Sequence, residues 1–390
     1  MNQVLIDKVK DIFKEKFNRE SYLYFSPGRI NIIGEHVDYN DGFVMPAAID
    51  KGVYYAIAPN GTDVLNFLSV DFDESYSTKL ADIGPTDTWK NYVLSVVNQF
   101  VKAGVEVKGF DCVFVGDIPS GSGMSSSAAV EGGVAFALNE MFNQSKFSRK
   151  EMALLNQSAE HDYPNVMCGI MDQYANMNGK RDSVMLLDCK SVEHEYFPLQ
   201  LSGYSLVLIN SKVHHSLASS AYNERRQQCE EGLKLIGSKS GITSFRDIKS
   251  VDELATYKDL MSDIVYQRCL FVVGEIDRTQ RAAKLLQNHD IKGLGELMFQ
   301  THEGLSKQYN VSCPELDFLV EQAKLSPDVI GARLMGGGFG GCTINIVADS
   351  SVSTFIEHTL NAYKNELGNV GEAYIVQTDD GTRKILQEAK

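Results

Sequence analysis

The chain has little of what marks a stapled, membrane-bound or nucleic-acid-binding protein. Its seven cysteines (Cys112, Cys168, Cys189, Cys229, Cys269, Cys313 and Cys342) are odd in number, scattered, and contain no Cys-x-x-Cys pair. That pattern argues against a disulfide framework or a zinc site and for a reducing compartment. No apolar run reaches the roughly 18 residues of a membrane span. Residues 1–17 place Val4, Leu5, Val9, Ile12, Phe13 and Phe17 on one face of a predicted helix, but charges interrupt the run, so it is no signal peptide. Basic residues are in deficit, 37 against 51 acidic, for a net charge of −14. Nonspecific binding to nucleic acid, which needs a basic surface, is therefore not expected. Any anionic ligand must be held by local donors rather than by the field of the whole protein. Internal repeats, low-complexity tracts and proline-rich linkers are also lacking. The expectation is a cytoplasmic protein with no nucleic-acid or membrane partner.

What is present is ample apolar material: 390 residues, 43% of them hydrophobic, enough for a large core and comfortable for two domains. Strand-like runs include "YLYFS", "VYYAIA", "VLNFLSV" and "FDCVFVGD" in the first half. Helical patterns cover about 93–102, 128–142 and 150–161. "YSLVLINS" opens a second unit near residue 204, with helices near 222–235, 270–287 and 292–309. "ARLMGGGFGGCTINIVA" reads as strand, glycine turn, strand, and "AYIVQ" as a last strand. The regular βαβ rhythm of a doubly wound sheet is missing. The reading is two α+β lobes, residues 1–200 and 201–390, with the active site in the cleft between them.

Three stretches carry chemistry. "GDIPSGSGMSSSAAVE" (Gly116–Glu131) joins a strand candidate to a helix candidate through a small-residue turn. At such a helix start the first N–H groups lack partners and the dipole is positive. Glycines let the backbone approach a ligand, and serine hydroxyls add donors. The combination suits a phosphate group; a plain serine-capped helix is the alternative. It is neither a Walker A motif nor a nucleophile elbow. A second cluster, "GGGFGG" (Gly336–Gly341), formally fits G-x-G-x-x-G but leads into a strand, so the dinucleotide-binding context fails. Close approach to another segment or to a ligand phosphate is one role for it, and a glycine-rich hairpin turn is the other.

"PGRINIIGEHVDYNDG" (Pro27–Gly42) crowds Arg29, Glu35, His36 and Asp38 beside apolar residues. Such groups must be solvated, paired or functional. Carboxylates beside an imidazole suit a polyhydroxylated ligand, against a solvated surface loop. In "AEHDYPNVMCGIMDQYANMNG" (Ala159–Gly179), Asp172 is flanked by Ile170 and Met171. A partly buried aspartate is the setting of a carboxylate that handles a substrate proton, or of a helix cap or buried structural carboxylate. His161, His214 and His215 lack metal-ligand spacing and read as structural or surface residues. "NERRQQCEE" (Asn223–Glu231) reads as the charged face of a helix.

In order and spacing, "GRINIIGEHVDYNDG", "GDIPSGSGMSSSAA" and "LMGGGFGGC" resemble the three motifs of the GHMP small-molecule kinases. The first resembles the galactokinase signature in particular, and "CGIMDQ" and "SLASSAYNERRQQC" are similar to galactokinase as well. The resemblance spans about Phe25 to Gly341. It implies an α+β, two-lobed GHMP kinase fold: an N-terminal lobe like domain 2 of ribosomal protein S5 and a ferredoxin-like C-terminal lobe. It implies ATP-dependent phosphorylation of the C1 hydroxyl of α-D-galactose, with D-galactose and MgATP as partners and Mg²⁺ as cofactor; a monomer is the expectation. By the same resemblance Asp172 is the catalytic base and Arg29 steadies Asp172 and the phosphoryl group. Glu35, His36, Val37, Asp38, Gly169, Asp172 and Tyr222 contact the sugar. Gly121, Ser122, Gly123, Met124, Ser125, Ser126 and Ser127 wrap the phosphates, with Trp89 near the adenine and Ser69 on the nucleotide side. Ser127 and Glu160 hold Mg²⁺. Two departures stand out: Val37 replaces a usual threonine, and "GSGMSSS" replaces "GAGLSSS". Other sugar kinases of the superfamily, acting on N-acetylgalactosamine or arabinose, and a noncatalytic galactose and ATP sensor are the rival readings.

Overall fold

Runs of Val, Ile, Tyr and Phe build the first sheet, because β-branched and aromatic side chains fit a pleated, half-buried surface. The computed structural model describes residues 1–214 and 218–386. The first half runs α1 (Gln3–Phe17), β1 (Tyr22–Asn31), β2 (Phe43–Val44), β3 (Pro46–Pro59), β4 (Val64–Ser69), β5 (Glu74–Lys79), α2 (Lys90–Lys102) and β6 (Phe110–Gly116). It continues through α3 (Ser126–Asn143), α4 (Arg149–Asp162), α5 (Met171–Asn178), β7 (Ser183–Asp188) and β8 (Glu193–Pro198). The second half runs β9 (Tyr204–His214), α6 (Ala218–Ser240), α7 (Val251–Ala255), α8 (Asp263–Gln287), α9 (Ile291–Glu303) and α10 (Pro314–Leu325). It ends with β10 (Val329–Leu334), β11 (Gly340–Ala348), α11 (Val352–Leu367), β12 (Glu372–Val376) and β13 (Arg383–Lys384).

Six strands form the first sheet in the order β13-β1-β3-β6-β4-β5. On one face lies α1, whose Ile6, Val9 and Phe13 recur at helical spacing and bury against Leu23, Phe25, Tyr54 and Val113. This corrects the expected apolar face in one position: Val4 is exposed, and Ile6 takes the core place. On the other face α2 and α3 bury Val93, Val97, Phe100 and Leu138 against Tyr55 and Phe114. β2, β7 and β8 form a small separate sheet.

The second half has four antiparallel strands in the order β10-β11-β9-β12. Strand β9, helices, β10, β11, helix α11 and β12 follow one another, which is the βαββαβ pattern of a ferredoxin-like sheet. One face packs on α10 and α11 through Val207, Ile209, Leu319 and Phe355. The other face buries Leu206, Leu208 and Ile344 together with Ile30, Ile32 and Met45 of the first half. The lobes thus share apolar contacts, here and in the cluster that joins Val37 and Val44 to Phe271 and Tyr309. The chain finally returns to the first sheet, where Lys384 and Arg383 of β13 face Tyr24 and Phe25 of β1.

The helix expected to reach Tyr309 leaves α geometry after Glu303: Gly304–Tyr309 wind as a π-helical turn. All seven cysteines are free, and among the described residues no helix is long and apolar enough to cross a membrane. Of the sequence expectations, His215 lies outside the described residues.

Candidate active site

The loop after β1 folds back on itself, with the amides of Asn40 and Gly42 donating to the carbonyl of Val37 at 3.1 and 2.8 Å. This tight turn drives the Val37 side chain fully into the core and turns its neighbours Glu35, His36 and Asp38 toward a cavity of about 140 Å³. Val37 is therefore set apart from the sugar-contacting group in which the resemblance placed it: it anchors the loop and does not line the cavity. Arg29, Glu160, Gly169, Asp172 and Tyr222 complete the wall with Gly336 and Gly337.

Asp172 sits in the first turn of α5, where carboxylates are favoured by the dipole. Buried Arg29 grips both of its oxygens, Nε to Oδ1 at 2.8 Å and Nη2 to Oδ2 at 2.7 Å. Ser125 donates to the same carboxylate, and Arg29 Nη1 donates to the carbonyl of Gly123. Ser125 was expected among the phosphate ligands, yet its hydroxyl is turned to Asp172. A bidentate, charge-assisted pair of this kind fixes orientation as well as charge.

Glu35 accepts from both terminal nitrogens of Arg333 at 3.0 Å and from the amide of Gly336 at 2.8 Å. Arg333 is fully buried in β10 and also donates to the carbonyls of Asn31, Ile32 and Leu334. His36 lies 3.1 Å from the carbonyl of Gly337 through Nε2, and 2.7 Å from the Tyr39 hydroxyl through Nδ1. A carbonyl only accepts, so the network assigns the proton to Nε2 and leaves Nδ1 to accept from Tyr39. Burial pushes the imidazole down to about 4, so the ring is neutral at physiological pH. Tyr309, Tyr222 and Tyr39 surround it at ring distances of 5.0, 5.2 and 5.9 Å. The Asp38 carboxyl is raised to about 7 by burial, reinforced by the charges of Asp172 and Glu35. Gly169 is required there: a Cβ on it would lie 2.1 Å from the Asp38 carboxylate.

A second cavity, of about 670 Å³, lies on the other side of the 121–125 loop. Phe72 and Trp89 stack at 5.8 Å with an interplanar angle of 17° on its wall, and the Trp89 indole donates to Glu74 at 2.7 Å. Its floor is the loop from Gly121 to Ser127 at the start of α3. Gly121, Gly123 and Ser125 all adopt positive φ, so backbone amides alternate in direction as in an anion-binding nest. Met124 and Ser122 are buried; Met124 packs in the apolar interface and Ser122 bonds back to the loop. Ser69 also lines this cavity, and its buried hydroxyl has no hydrogen-bond partner. The second glycine cluster closes over the loop from behind. A Cβ on Gly123 would stand 2.9 Å from the Met335 carbonyl, and one on Gly341 would stand 3.2 Å from that of Gly121. This is the close backbone approach expected of "GGGFGG", made to a neighbouring segment.

Glu160, near the end of α4, lies between the cavities. It is hydrogen-bonded by Ser127 and Gln173, and burial, followed by the nearby Asp172 charge, raises it to about 7. Among the described residues no group of three or more His, Cys, Asp or Glu side chains is placed to hold a metal ion. The oxygen pair of Ser127 and Glu160 is a donor set that a hard divalent cation accepts once phosphate oxygens complete its shell.

Several contributors were not visible in the motifs. Arg333 and Tyr309 reach the site from the second half, Tyr39 sits inside the charged stretch after Asp38 without being singled out there, and Phe72 lies outside every motif. The lone arginine in the apolar run before "GGG" was the available clue to Arg333. Arg225, read as part of a charged helix face, is buried and donates to the carbonyls of Tyr309 and Asn310. His161, read as a structural or surface residue, contacts the Cys168 carbonyl at 2.8 Å.

Comparison with known proteins gives the family and the fold. The galactokinase galactose-binding signature matches residues 11–59, the GHMP kinases N terminal domain residues 91–180, and the GHMP kinases C terminal domain residues 282–365. Galactokinase of Clostridium acetobutylicum is 39% identical over 98% of this chain and 98% of its own. That of Clostridium perfringens is 36% identical over 97% of this chain and 100% of its own. The crystal structure of Lactococcus lactis galactokinase complexed with galactose superposes with a TM-score of 0.94 at 34% identity, covering 97% of this chain and 99% of that one. Methanococcus jannaschii mevalonate kinase, at 17% identity and a TM-score of 0.64, shares the fold. Full-length identity at this level, on a two-lobed GHMP kinase fold with all three motifs converging on one cleft, makes the chain a member of the galactokinase family.

Proposed function

We infer that the enzyme transfers the γ-phosphoryl group of MgATP to the C1 hydroxyl of α-D-galactose, giving galactose 1-phosphate and ADP. The single observation that carries this is the place of Asp172: it faces the small polar cavity, while its partners Arg29 and Ser125 touch the loop of the large one. A sugar hydroxyl and a phosphate tail would meet at that carboxylate.

The sugar site is built of acceptors. Glu35 and Asp38 suit hydroxyl donors, and neutral His36 is held in one tautomer by Gly337 and Tyr39. Tyr222 covers the cavity, and Gly169 leaves Asp38 its room. On the nucleotide side the Phe72–Trp89 slot suits an adenine, with Ser69 offering an unused hydroxyl. The amides of the 121–127 loop and the start of α3 neutralise phosphate charge without a P-loop lysine. Phosphoryl transfer asks mainly for positioning and charge neutralisation. Arg29 holds Asp172 in place, and Asp172 orients the attacking hydroxyl and takes its proton as the new P–O bond forms. Ser127 and Glu160 would hold Mg²⁺, whose chemistry is to neutralise charge on the transferring phosphates. The scattered free cysteines fit a cytoplasmic enzyme.

The test is ADP release by purified protein with galactose, N-acetylgalactosamine and arabinose, with the product's phosphorylated carbon assigned by NMR. Galactose should be the substrate and C1 the acceptor. Asp172→Asn should lower kcat by about 10²–10⁴-fold while binding of a nonhydrolysable ATP analogue is kept. Near-normal turnover in that variant would refute the assigned role.

A further inference from the structure

A third cavity, of about 490 Å³, opens between α8 and the segment that leads into α7, away from both sites described above. Arg246, Lys249, Arg278 and Arg281 line it against one carboxylate, Asp277. Asp188 and Glu275, which pair with two of these cations, do not line the cavity, so its wall is basic in a chain of net charge −14. Three of the four are ion-paired, each with one carboxylate. The Lys249 ammonium has no ion-pair partner among the described residues, although its backbone amide donates to the Glu253 carboxylate at 2.8 Å, and Arg281 keeps only an exposed 3.4 Å contact to Asp277. Arg246 is oriented by Asp188 at 2.6 Å and lies over the Phe43 ring at 4.2 Å. Of the N–H groups of Arg278 only Nε finds a protein acceptor, Glu275 at 2.7 Å, and its Nη2 is buried with none.

The cavity is wired to the sugar loop. Glu275 is fully buried, and its other oxygen accepts from the amide of Gly34 at 2.9 Å, the residue just before Glu35 and His36. Thr301 donates to both carboxylate oxygens and holds the group in place. Phe43, at the far end of the same loop, carries Arg246 on its ring, and its carbonyl would lie 2.6 Å from a Cβ on Gly34. Two lining arginines therefore bear on the two ends of the segment that presents Glu35, His36 and Asp38.

We propose that this cavity binds a small phosphate monoester and that its occupancy biases the 34–43 loop, so that galactose affinity responds to it. Guanidinium and ammonium groups converging on one space match a phosphate dianion. The volume exceeds what a bare anion needs and falls in the range of metabolite pockets. Gln280 and Gln300 on the wall can bond the hydroxyls of such a ligand. The same headgroup is offered by inorganic phosphate and by a phosphorylated sugar.

Calorimetry on the full chain tests this, with the catalytic cleft filled by galactose and a nonhydrolysable ATP analogue. Inorganic phosphate and glucose 6-phosphate are titrated separately at constant ionic strength, which removes nonspecific screening. One-to-one binding of either supports the site: heat from both assigns the bare phosphate group, and heat from glucose 6-phosphate alone assigns a phosphorylated sugar. Lys249→Ala/Arg281→Ala should weaken that binding about tenfold or more and leave turnover without ligand unchanged. In the wild type the bound anion should shift the galactose KM, and in the double variant it should not. No heat with either anion up to about 10 mM, or equal binding by the double variant, overturns the site. Binding without a change in galactose KM overturns the coupling. The binding measurement needs no turnover, so it stands or falls independently of the proposed catalytic roles.

Discussion

Asp38 shares with Glu160 a carboxyl raised to about 7, which makes its chemistry sensitive to pH near neutrality. Its carboxyl is raised to about 7 because burial disfavours the charge and Asp172 and Glu35 repel it. The folded-state value lies above the ordinary one, so the contribution to stability is fully present at low pH. It is lost as pH rises through about 7, where Asp38 must ionise against its surroundings. A sugar that donates hydroxyl hydrogens to Asp38 prefers the ionised, acceptor-only form. By linkage, galactose binding then releases a proton, and affinity rises with pH through that window. Between about pH 6 and pH 8 the dissociation constant should fall about tenfold, the change expected for one group titrating at its centre. Calorimetry without nucleotide checks this, and in Asp38→Asn the profile should be flat and the affinity weaker. A flat wild-type profile, or an unchanged slope in the variant, would count against Asp38 as the acceptor. At this scale much of the site was legible in the sequence. Arg29, Glu35, His36, Asp38 and Asp172 lie in stretches where charge interrupts apolar residues, and charge of that kind has to be paired or used. Val37 shows the opposite case: the resemblance put it among the sugar ligands, but its side chain is turned into the core.

The 121–125 loop is the element on which nucleotide binding rests, and its shape is fixed by two demands at Gly123. Its φ is 73°, in the left-handed region, and a Cβ would stand 2.9 Å from the Met335 carbonyl, which belongs to backbone and cannot swing away. Its own carbonyl accepts from Arg29. Gly123→Ala should therefore cost about 1–3 kcal/mol in strain, lower the melting temperature, and weaken ATP-analogue binding more than galactose binding. Thermal unfolding with paired calorimetric titrations measures all three; a variant of unchanged melting temperature would contradict the argument. The small-residue run marked this element clearly, and runs rich in β-branched and aromatic residues marked β1, β3, β6 and β9. Other elements left weaker traces. β5 reads "ESYSTK", a polar edge strand half in water, and α5 is eight residues whose start is fixed by tertiary contacts around Asp172. The π-helical turn at Gly304–Tyr309 was invisible for a similar reason: helical periodicity continues through it, and only packing against α8 and α9 changes the winding.

Across the whole molecule the two lobes are joined by an ion pair that no sequence pattern announces, because its partners lie 298 residues apart. Glu35 and Arg333 have side-chain exposures of 2% and 0%, and Arg333 further ties down the carbonyls of Asn31 and Ile32. Replacing such a pair by apolar groups can be nearly neutral, whereas removing one partner strands the other charge without solvent. Arg333→Met should thus destabilise the fold by about 3–5 kcal/mol, since it orphans Glu35 and two backbone carbonyls of the first lobe. Galactose affinity should fall with it, because Glu35 loses the donor that aims its carboxylate while Gly336 alone remains. Glu35→Gln keeps a neutral acceptor for Arg333 and for Gly336, so its stability loss should be smaller than its loss of galactose affinity. In the double variant Glu35→Gln/Arg333→Met the buried charge is gone on both sides, and the stability penalty should be less than the sum of the single ones by about 1 kcal/mol or more. Denaturant unfolding of the four proteins closes that cycle. Additive penalties would mean that Glu35 and Arg333 hold the lobes independently, and the geometry of the cleft would then rest on the shared apolar interface of Ile30, Ile32 and Met45 with Leu206, Leu208 and Ile344 and on polar contacts such as those of Gly34 with Glu275 and of His36 with Gly337.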